Sequence, residues 1–126
     1  MNSTLRRPKF LDLTKIRLPL PGVVSILHRV SGVLMILAIP AGIWLLDLAA
    51  TSQQGFEQAA SVADTLLFKL AASVMLWSLF HHLFAGIRYL LLDIDIGIER
   101  KQARQSAVGV FIVSVLATVA FLGVIW

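Results

Sequence analysis

The chain has 126 residues, of which 58% are hydrophobic and only 14% are charged. A soluble domain of this size cannot bury so much apolar surface, so the composition indicates an integral membrane protein. The net charge is +4 and there is no cysteine, which excludes a disulfide and an iron–sulfur cluster held by this chain's own thiolates.

A polar, basic leader precedes the first apolar segment. It covers residues 1–22 and ends in two prolines and a glycine, Pro19, Pro21 and Gly22. Because proline disfavours helix in the residue before it, we expect the first spanning helix to start just after Gly22. The leader lacks an apolar core of signal-peptide length, so we expect no cleavable signal.

Three apolar segments follow, over about residues 23–48, 66–92 and 107–126. Each is long enough to cross a bilayer core of about 30 Å, which needs roughly 20 helical residues. The predicted fold class is therefore an all-α membrane protein with three transmembrane helices. We see no internal repeat and expect a single domain over residues 1–126.

Local signals refine these helices and their connections. Pro40 lies inside the first segment and should kink it, because proline removes a backbone hydrogen bond. The first connection covers about residues 49–65. Its stretch 51–58 is predicted to be a polar loop, and Asp64 or Thr65 is the candidate cap of the second helix. The second connection covers residues 93–105.

The basic residues are distributed asymmetrically around these segments. The leader and the second connection carry them, whereas residues 49–65 contain neither lysine nor arginine. By the positive-inside rule, the N-terminus and the second connection face the cytoplasm and the C-terminus lies outside. This topology accounts for the basic charge, so we expect lipid contact and no nucleic-acid partner.

One polar cluster lies at the start of the first spanning segment. Ser25, Arg29 and Gly32 follow a spacing of four and three residues, which places them on one helix face, and His28 lies beside them. Ionisable groups are costly at membrane depth and therefore point to function. A hydroxyl and a guanidinium here can bind a quinone carbonyl and stabilise charge that develops on its oxygen. The alternative for Arg29 is snorkelling to lipid headgroups.

A second cluster lies near the end of the second segment. Ser78, His82, Gly86, Tyr89 and Asp93 share one helix face. Three interpretations of the central histidine compete: a structural hydrogen bond to a neighbouring helix, a proton relay, or an axial haem ligand beside the space that the glycine clears. A relay would need an acidic residue within the span, and none is present.

Helix rise converts sequence position into depth. Counting about 1.5 Å per residue, His28, Arg29 and Arg88 share a level near the interface, and His82 lies about 8 Å deeper than His28. That difference argues against His28 as the opposite axial ligand, so the second ligand should come from another polypeptide. The shallower cations can then meet haem propionates as charge-assisted donors.

These motifs resemble the signatures of a known family. Ser25-Ile26-Leu27-His28-Arg29-Val30-Ser31-Gly32, and His82-x-x-x-Gly86-x-Arg88 followed by Asp93, are similar to motifs of the cytochrome b anchor subunit of bacterial succinate dehydrogenase (complex II). The resemblance spans nearly the whole chain. It includes Arg7-Pro8, Leu11-Asp12-Leu13 and a segment typical of enterobacterial members, Gly55-Phe56-Glu57-Gln58-Ala59.

The resemblance implies a division of labour. A flavoprotein subunit and an iron–sulfur subunit would carry the flavin and the clusters, so this chain would be part of an enzyme without being one alone. With a second small anchor it would hold haem b in a shared helical bundle, in a bacterial inner membrane, and help form the ubiquinone site.

The family's residue roles carry over to matching positions of this chain. His82 becomes the axial haem ligand, Ser25 and Arg29 line the quinone site, and His28, Arg29 and Arg88 lie near the haem propionates. Tyr89 stands where the family often has histidine, and its hydroxyl is a candidate replacement contact. His81, next to the proposed ligand, is the alternative ligand.

Two other functions remain as alternatives. A fumarate reductase anchor would share the topology but serve quinol oxidation. A small transporter or assembly subunit would use the polar residues to line an ion path, although such a path would be expected to include an acidic residue at mid-membrane.

Overall fold

The computed structural model describes residues 18–125, which form four helices. They are α1 (Leu20–Thr51), α2 (Gln53–Ala63), α3 (Leu66–Asp93) and α4 (Arg100–Ile125). The first 17 residues of the predicted leader, with its Arg-Pro and Leu-Asp-Leu motifs, lie outside the described residues, as does Trp126.

Helix α1 begins earlier than predicted, at Leu20 instead of just after Gly22. Pro21 lies in the first turn, where the backbone N–H that proline lacks would have had no helical partner. The carbonyl of Pro19 accepts hydrogen bonds from the backbone N–H groups of Gly22 and Val23 at 2.8 and 3.2 Å. Pro40 lies inside the helix as expected, and its kink stays a prediction.

The predicted polar loop between the first two spanning segments was wrong in its central part, because α2 occupies it. The hydroxyl of Ser52 caps α2 by accepting a hydrogen bond from the Gly55 N–H at 3.0 Å. Gly55 is buried against the backbone of Leu48 at the end of α1. The short helix therefore folds back tightly on α1, and a glycine at its first turn allows that approach.

The two candidate caps of α3 have different roles. Thr65 is the N-cap, and its hydroxyl accepts a hydrogen bond from the Phe68 N–H at 3.3 Å. Asp64 instead forms an exposed ion pair with Lys69 at 2.5 Å. The hydrogen bond and the positive charge of Lys69 lower the pKa of the Asp64 carboxyl below its ordinary value.

Helix α4 begins at Arg100, seven residues before the predicted start at position 107. Hydropathy marks only the apolar part of a helix, whereas arginine, lysine and glutamine have good helix propensity and continue it beyond the membrane. The connection before it contains Asp95 and Gly97 in the left-handed region, with φ of 61° and 78°.

Helix α3 packs against both α1 and α4. Three of the described helices, α1, α3 and α4, are long and apolar enough to cross a membrane. Large apolar side chains point outward from them: Ile36, Leu67 and Val124 are 68%, 79% and 86% exposed. The buried interior instead consists mainly of small and polar residues, which is typical of helices that associate in lipid. Its buried polar members are Ser31, Ser78, His81, Arg88, Ser114 and Thr118.

Candidate functional site

The His82 side chain projects from α3 onto the first half of α1. Its Nδ1 atom lies 3.0 Å from the backbone carbonyl oxygen of His28 and 3.2 Å from Oγ of Ser31. A carbonyl oxygen can only accept, so Nδ1 must carry the hydrogen of this bond. The neutral ring then has its lone pair on Nε2, which makes no hydrogen bond within the described residues. A histidine that donates through one nitrogen to a carbonyl is oriented to bind a metal through the other.

The rings of His28 and His82 stack face to face. Their centroids are 4.0 Å apart and their planes differ by 15°. Gly32 makes this approach possible, because a Cβ there would lie only 3.0 Å from Cε1 of His82. A Cβ at Gly86 would lie 3.6 Å from Nε2 of His28, an ordinary van der Waals contact, so the His28 ring lies over Gly86. The space predicted at Gly86 is therefore used by His28 of the same chain.

The predicted depth difference of about 8 Å between these histidines was wrong. Helix α1 starts at Leu20 and α3 ends at Asp93. His28 therefore lies about 12 Å along the helix from the start of α1, and His82 lies about 16 Å from the end of α3. The remaining difference is small enough for the side chains to meet. The two rings meet face to face, so the His28 ring is not directed at Nε2 of His82. This geometry gives a different reason against His28 as the second ligand.

His81 points into the interior between the three long helices, not toward the face of α1 that carries Ser25 and Arg29. It is fully buried, with its ring 5.0 Å from that of Trp77 and 5.5 Å from that of Phe111 on α4. Neither of its ring nitrogens has a hydrogen-bond partner among residues 18–125. A group bound at the outer face of α1 and α3 would reach His82, which is only partly buried, before it reached His81.

Ser25 and Arg29 are brought together by the helix, as their spacing predicts. Nη2 of Arg29 donates to Oγ of Ser25 at 3.1 Å, and Arg29 is exposed. Because the serine oxygen accepts this bond, its own hydrogen is available for another acceptor. The pair therefore presents a hydroxyl donor polarised by a guanidinium.

Arg88 faces α4 and not the Ser25–Arg29 pair. Its Nε donates to Oγ of Ser106 at 3.0 Å and its Nη2 to the carbonyl of Ala103 at 3.1 Å. Only 6% of the residue is exposed. The sequence predicted Arg88 at the level of Arg29, and the structure directs its guanidinium to a different side of α3.

Three further residues lie at this site that the sequence did not predict as its main members. Ser31 contacts the His82 ring directly and Gly32 leaves room for it. Their place in the first motif was the signal that could have indicated this. Tyr89 lies edge-on to His28, with ring centroids 5.3 Å apart. Its buried hydroxyl has no hydrogen-bond partner within the described residues, so the site contains an unsatisfied polar atom beside the stacked histidines.

Comparison with known proteins identifies the family of this chain. The family model described as succinate dehydrogenase/fumarate reductase transmembrane subunit matches residues 3–121. A succinate dehydrogenase cytochrome b556 subunit of Coxiella burnetii is 39% identical, over 90% of this chain and 92% of that protein. The Paracoccus denitrificans cytochrome b556 subunit is 33% identical, over 91% and 92%. The mitochondrial cytochrome b560 subunit of Bos taurus is 32% identical, over 94% and 71%. The chain is thus a multi-pass membrane protein that belongs to the family of succinate dehydrogenase and fumarate reductase transmembrane subunits.

Proposed function

We propose that this chain is the haem b-binding membrane anchor subunit of a succinate:quinone oxidoreductase. Relatives at 33–39% identity bear the name succinate dehydrogenase cytochrome b556 subunit, which supports this assignment. The observation that carries the haem proposal is the hydrogen bond from Nδ1 of His82 to the His28 carbonyl. It favours the tautomer in which Nε2 has the lone pair and would be the iron-binding atom.

The residues around His82 fit a haem edge. When bound, haem b supplies a one-electron redox centre. His82 Nε2 would hold the iron. A contact of the Tyr89 hydroxyl with a propionate stays a prediction, because that oxygen is enclosed within the described residues. His28 and Arg29 lie one helix away on α1 and supply further donors for the propionates. The contribution of Arg88 to the same propionates stays a prediction, because its described hydrogen bonds go to α4.

The second axial ligand would come from a second small anchor subunit. His28 stacks on His82, and His81 is enclosed between Trp77 and Phe111, so neither is oriented to face His82 across an iron. A shared haem would then join two subunits through one helical bundle.

The quinone site in this proposal is built on the Ser25–Arg29 pair. Reduction of ubiquinone to ubiquinol consumes two electrons and two protons. The Ser25 hydroxyl would donate to one quinone carbonyl, and the guanidinium of Arg29 would stabilise negative charge developing on that oxygen. Electrons would arrive from an iron–sulfur subunit docked at this end, and a flavoprotein subunit would oxidise succinate.

The charge distribution supports an orientation for the complex. Arg100, Lys101 and Arg104 begin α4 at the same end of the bundle as Ser25. We propose that this end faces the cytoplasm of a bacterial cell, with the chain in the inner membrane and its C-terminus in the periplasm.

An optical spectrum of the purified complex tests the haem assignment. The reduced-minus-oxidised spectrum should show a b-type haem that is lost or strongly shifted in His82→Ala. His81→Ala is the matched control, since it removes the neighbouring imidazole and should retain the spectrum. The reverse pattern would move the ligand to His81, and a wild-type complex without haem would contradict haem binding altogether.

Quinol oxidation in a fumarate reductase stays the second candidate, because the family's description includes both enzymes. Comparing succinate-driven quinone reduction with quinol-driven fumarate reduction in the same preparation separates the two. Faster fumarate reduction would overturn our choice. The transporter or assembly alternative has no support from the family.

A further inference from the structure

A cavity of about 530 Å³ lies between α3 and α4, close to the connection that joins them. Its walls are mainly apolar and include Phe84, Ile87 and Leu91 of α3 and Val110 and Val113 of α4. At the end nearest the α3–α4 connection it is lined by Arg88, Ser106 and Gln102. The cavity thus combines one cationic end with an apolar wall, and it lies on a different side of α3 from the site where His82 meets α1.

Arg88 is a buried cation without a carboxylate partner in the part of the chain that the structure describes. Within residues 18–125 the ion pair present is Lys69–Asp64, and the acceptors of Arg88's hydrogen bonds, Ser106 and the Ala103 carbonyl, are both neutral. A charge removed from water without an opposite charge is costly. The cavity beside this guanidinium is therefore suited to an anion.

The depth of Arg88 in the helix favours one class of anion. Arg88 lies five residues before the end of α3, or about 7–8 Å along the helix, which is close to the level of the lipid headgroups. The start of α4, with its partial positive charge, lies at the same end. A small inorganic anion would leave the apolar wall empty, whereas an acyl chain would cover it.

We propose that this cavity binds an anionic phospholipid from the membrane leaflet at the Arg100 end. The phosphate would pair with the guanidinium of Arg88, with Ser106 and Gln102 as neutral neighbours. One acyl chain would lie along Ile87, Leu91, Val110 and Val113. The lipid would join α3 to α4 and supply the counter-charge that the chain's described residues lack. This proposal depends neither on haem nor on quinone binding.

Lipid retention by the purified complex tests the proposal. The probes are phosphatidylglycerol and phosphatidylcholine with identical acyl chains, mixed equally in nanodiscs. Native mass spectrometry after release from the nanodisc counts the retained lipids. The wild type should retain phosphatidylglycerol at least about fivefold over phosphatidylcholine, as expected for a basic side chain facing an anionic lipid. In Arg88→Gln that preference should fall to about one.

Two glycines of α4 provide a matched pair that leaves Arg88 intact. Gly109 lines the cavity and Gly123 does not, and a Cβ at either position would meet nothing within 4 Å. Gly109→Leu should therefore fill the cavity and abolish lipid retention, whereas Gly123→Leu should behave like the wild type. If Arg88→Gln fails to assemble, this pair alone decides the question.

Three results would overturn the proposal. The first is equal retention of the two lipids by the wild type, and the second is wild-type retention in Gly109→Leu. The third is an unchanged preference in Arg88→Gln. Loss of the preference in Arg88→Gln, together with loss of lipid retention in Gly109→Leu but not in Gly123→Leu, would support the lipid site.

Discussion

The Nδ1 atom of His82 on α3 lies 3.0 Å from the backbone carbonyl oxygen of His28 on α1. This cross-helix bond joins two segments more than 50 positions apart in sequence and defines the orientation of one imidazole. It also determines which nitrogen of that ring is available to bind a metal.

Gly32 provides a direct test of this arrangement. In Gly32→Ala the new methyl group would lie 3.0 Å from Cε1 of His82, so the ring must move by a few tenths of an ångström. We expect a shift in the haem absorption bands or midpoint potential, and a weakened Nδ1 bond costing about 0.5–1.5 kcal/mol.

Gly42→Ala is the control for that substitution. It lies in the same helix and makes the same chemical change, but its Cβ would meet nothing within 4 Å. Both variants gain similar helix propensity. Identical spectra for the two proteins would contradict a steric role for Gly32.

Ser25→Ala should weaken quinone reduction without affecting succinate oxidation. Loss of a hydrogen bond to a developing oxyanion corresponds to roughly a ten- to hundredfold decrease in kcat. The measurement compares quinone reductase activity with succinate-driven reduction of a soluble dye that accepts electrons before the membrane site. Ser73→Ala is a suitable control, since that hydroxyl bonds the Lys69 carbonyl within its own helix. Equal losses in both assays would place the defect outside the quinone site.

Gly55→Ala should destabilise the junction between α1 and α2. A methyl group there would collide with the backbone carbonyl of Leu48, and a backbone atom cannot move aside as a side-chain tip can. Overpacking of this kind costs about 1–3 kcal/mol. Thermal unfolding of the purified complex should therefore occur at lower temperature than for Gly42→Ala, and unchanged stability would show that the junction can relax.

The pair formed by Asp64 and Lys69 leads to a pH prediction. The pKa of the folded Asp64 carboxyl is lowered by Lys69, so the pair stabilises the protein above the unfolded pKa and loses its effect as the pH falls through the folded pKa. The stabilisation is small because both side chains contact water. In Lys69→Gln the pKa of Asp64 should rise toward its ordinary value of 3.8. Carboxyl NMR titration measures this directly, and an unchanged pKa would contradict the pairing.

Much of the fold could be predicted from the apolar segments, because membrane thickness dictates their length. Confirmed predictions include an all-α protein with three helices able to span a membrane, and Thr65 as the cap of α3. Helix α2 could not be recognised by hydropathy, since it is a short polar segment that is stabilised by its cap and by contact with α1. The starts of α1 and α4 were missed for a related reason. The first turn of α1 contains a proline and that of α4 is polar, and both turns extend the helix beyond its apolar part.

The sequence also predicted which candidate residues share a helix face, but not all of their contacts. Motif spacing placed Ser25 beside Arg29 and separated the faces of His81 and His82, as the structure has them. The stacking of His28 on His82 depends on where two different helices begin and end, which single-segment depth counting cannot supply. The direction of Arg88 toward α4 likewise depends on tertiary packing.

The acceptor that holds His82 belongs to the main chain of residue 28, not to its side chain. Every amino acid that could stand at position 28 would bring the same carbonyl group. A substitution of His28 can therefore remove the ring stacked on His82 while the backbone carbonyl that accepts the Nδ1 hydrogen bond stays in place. The orientation of His82 is in this respect insensitive to substitution at position 28, and it depends instead on the small residue at position 32, which leaves room for the His82 ring.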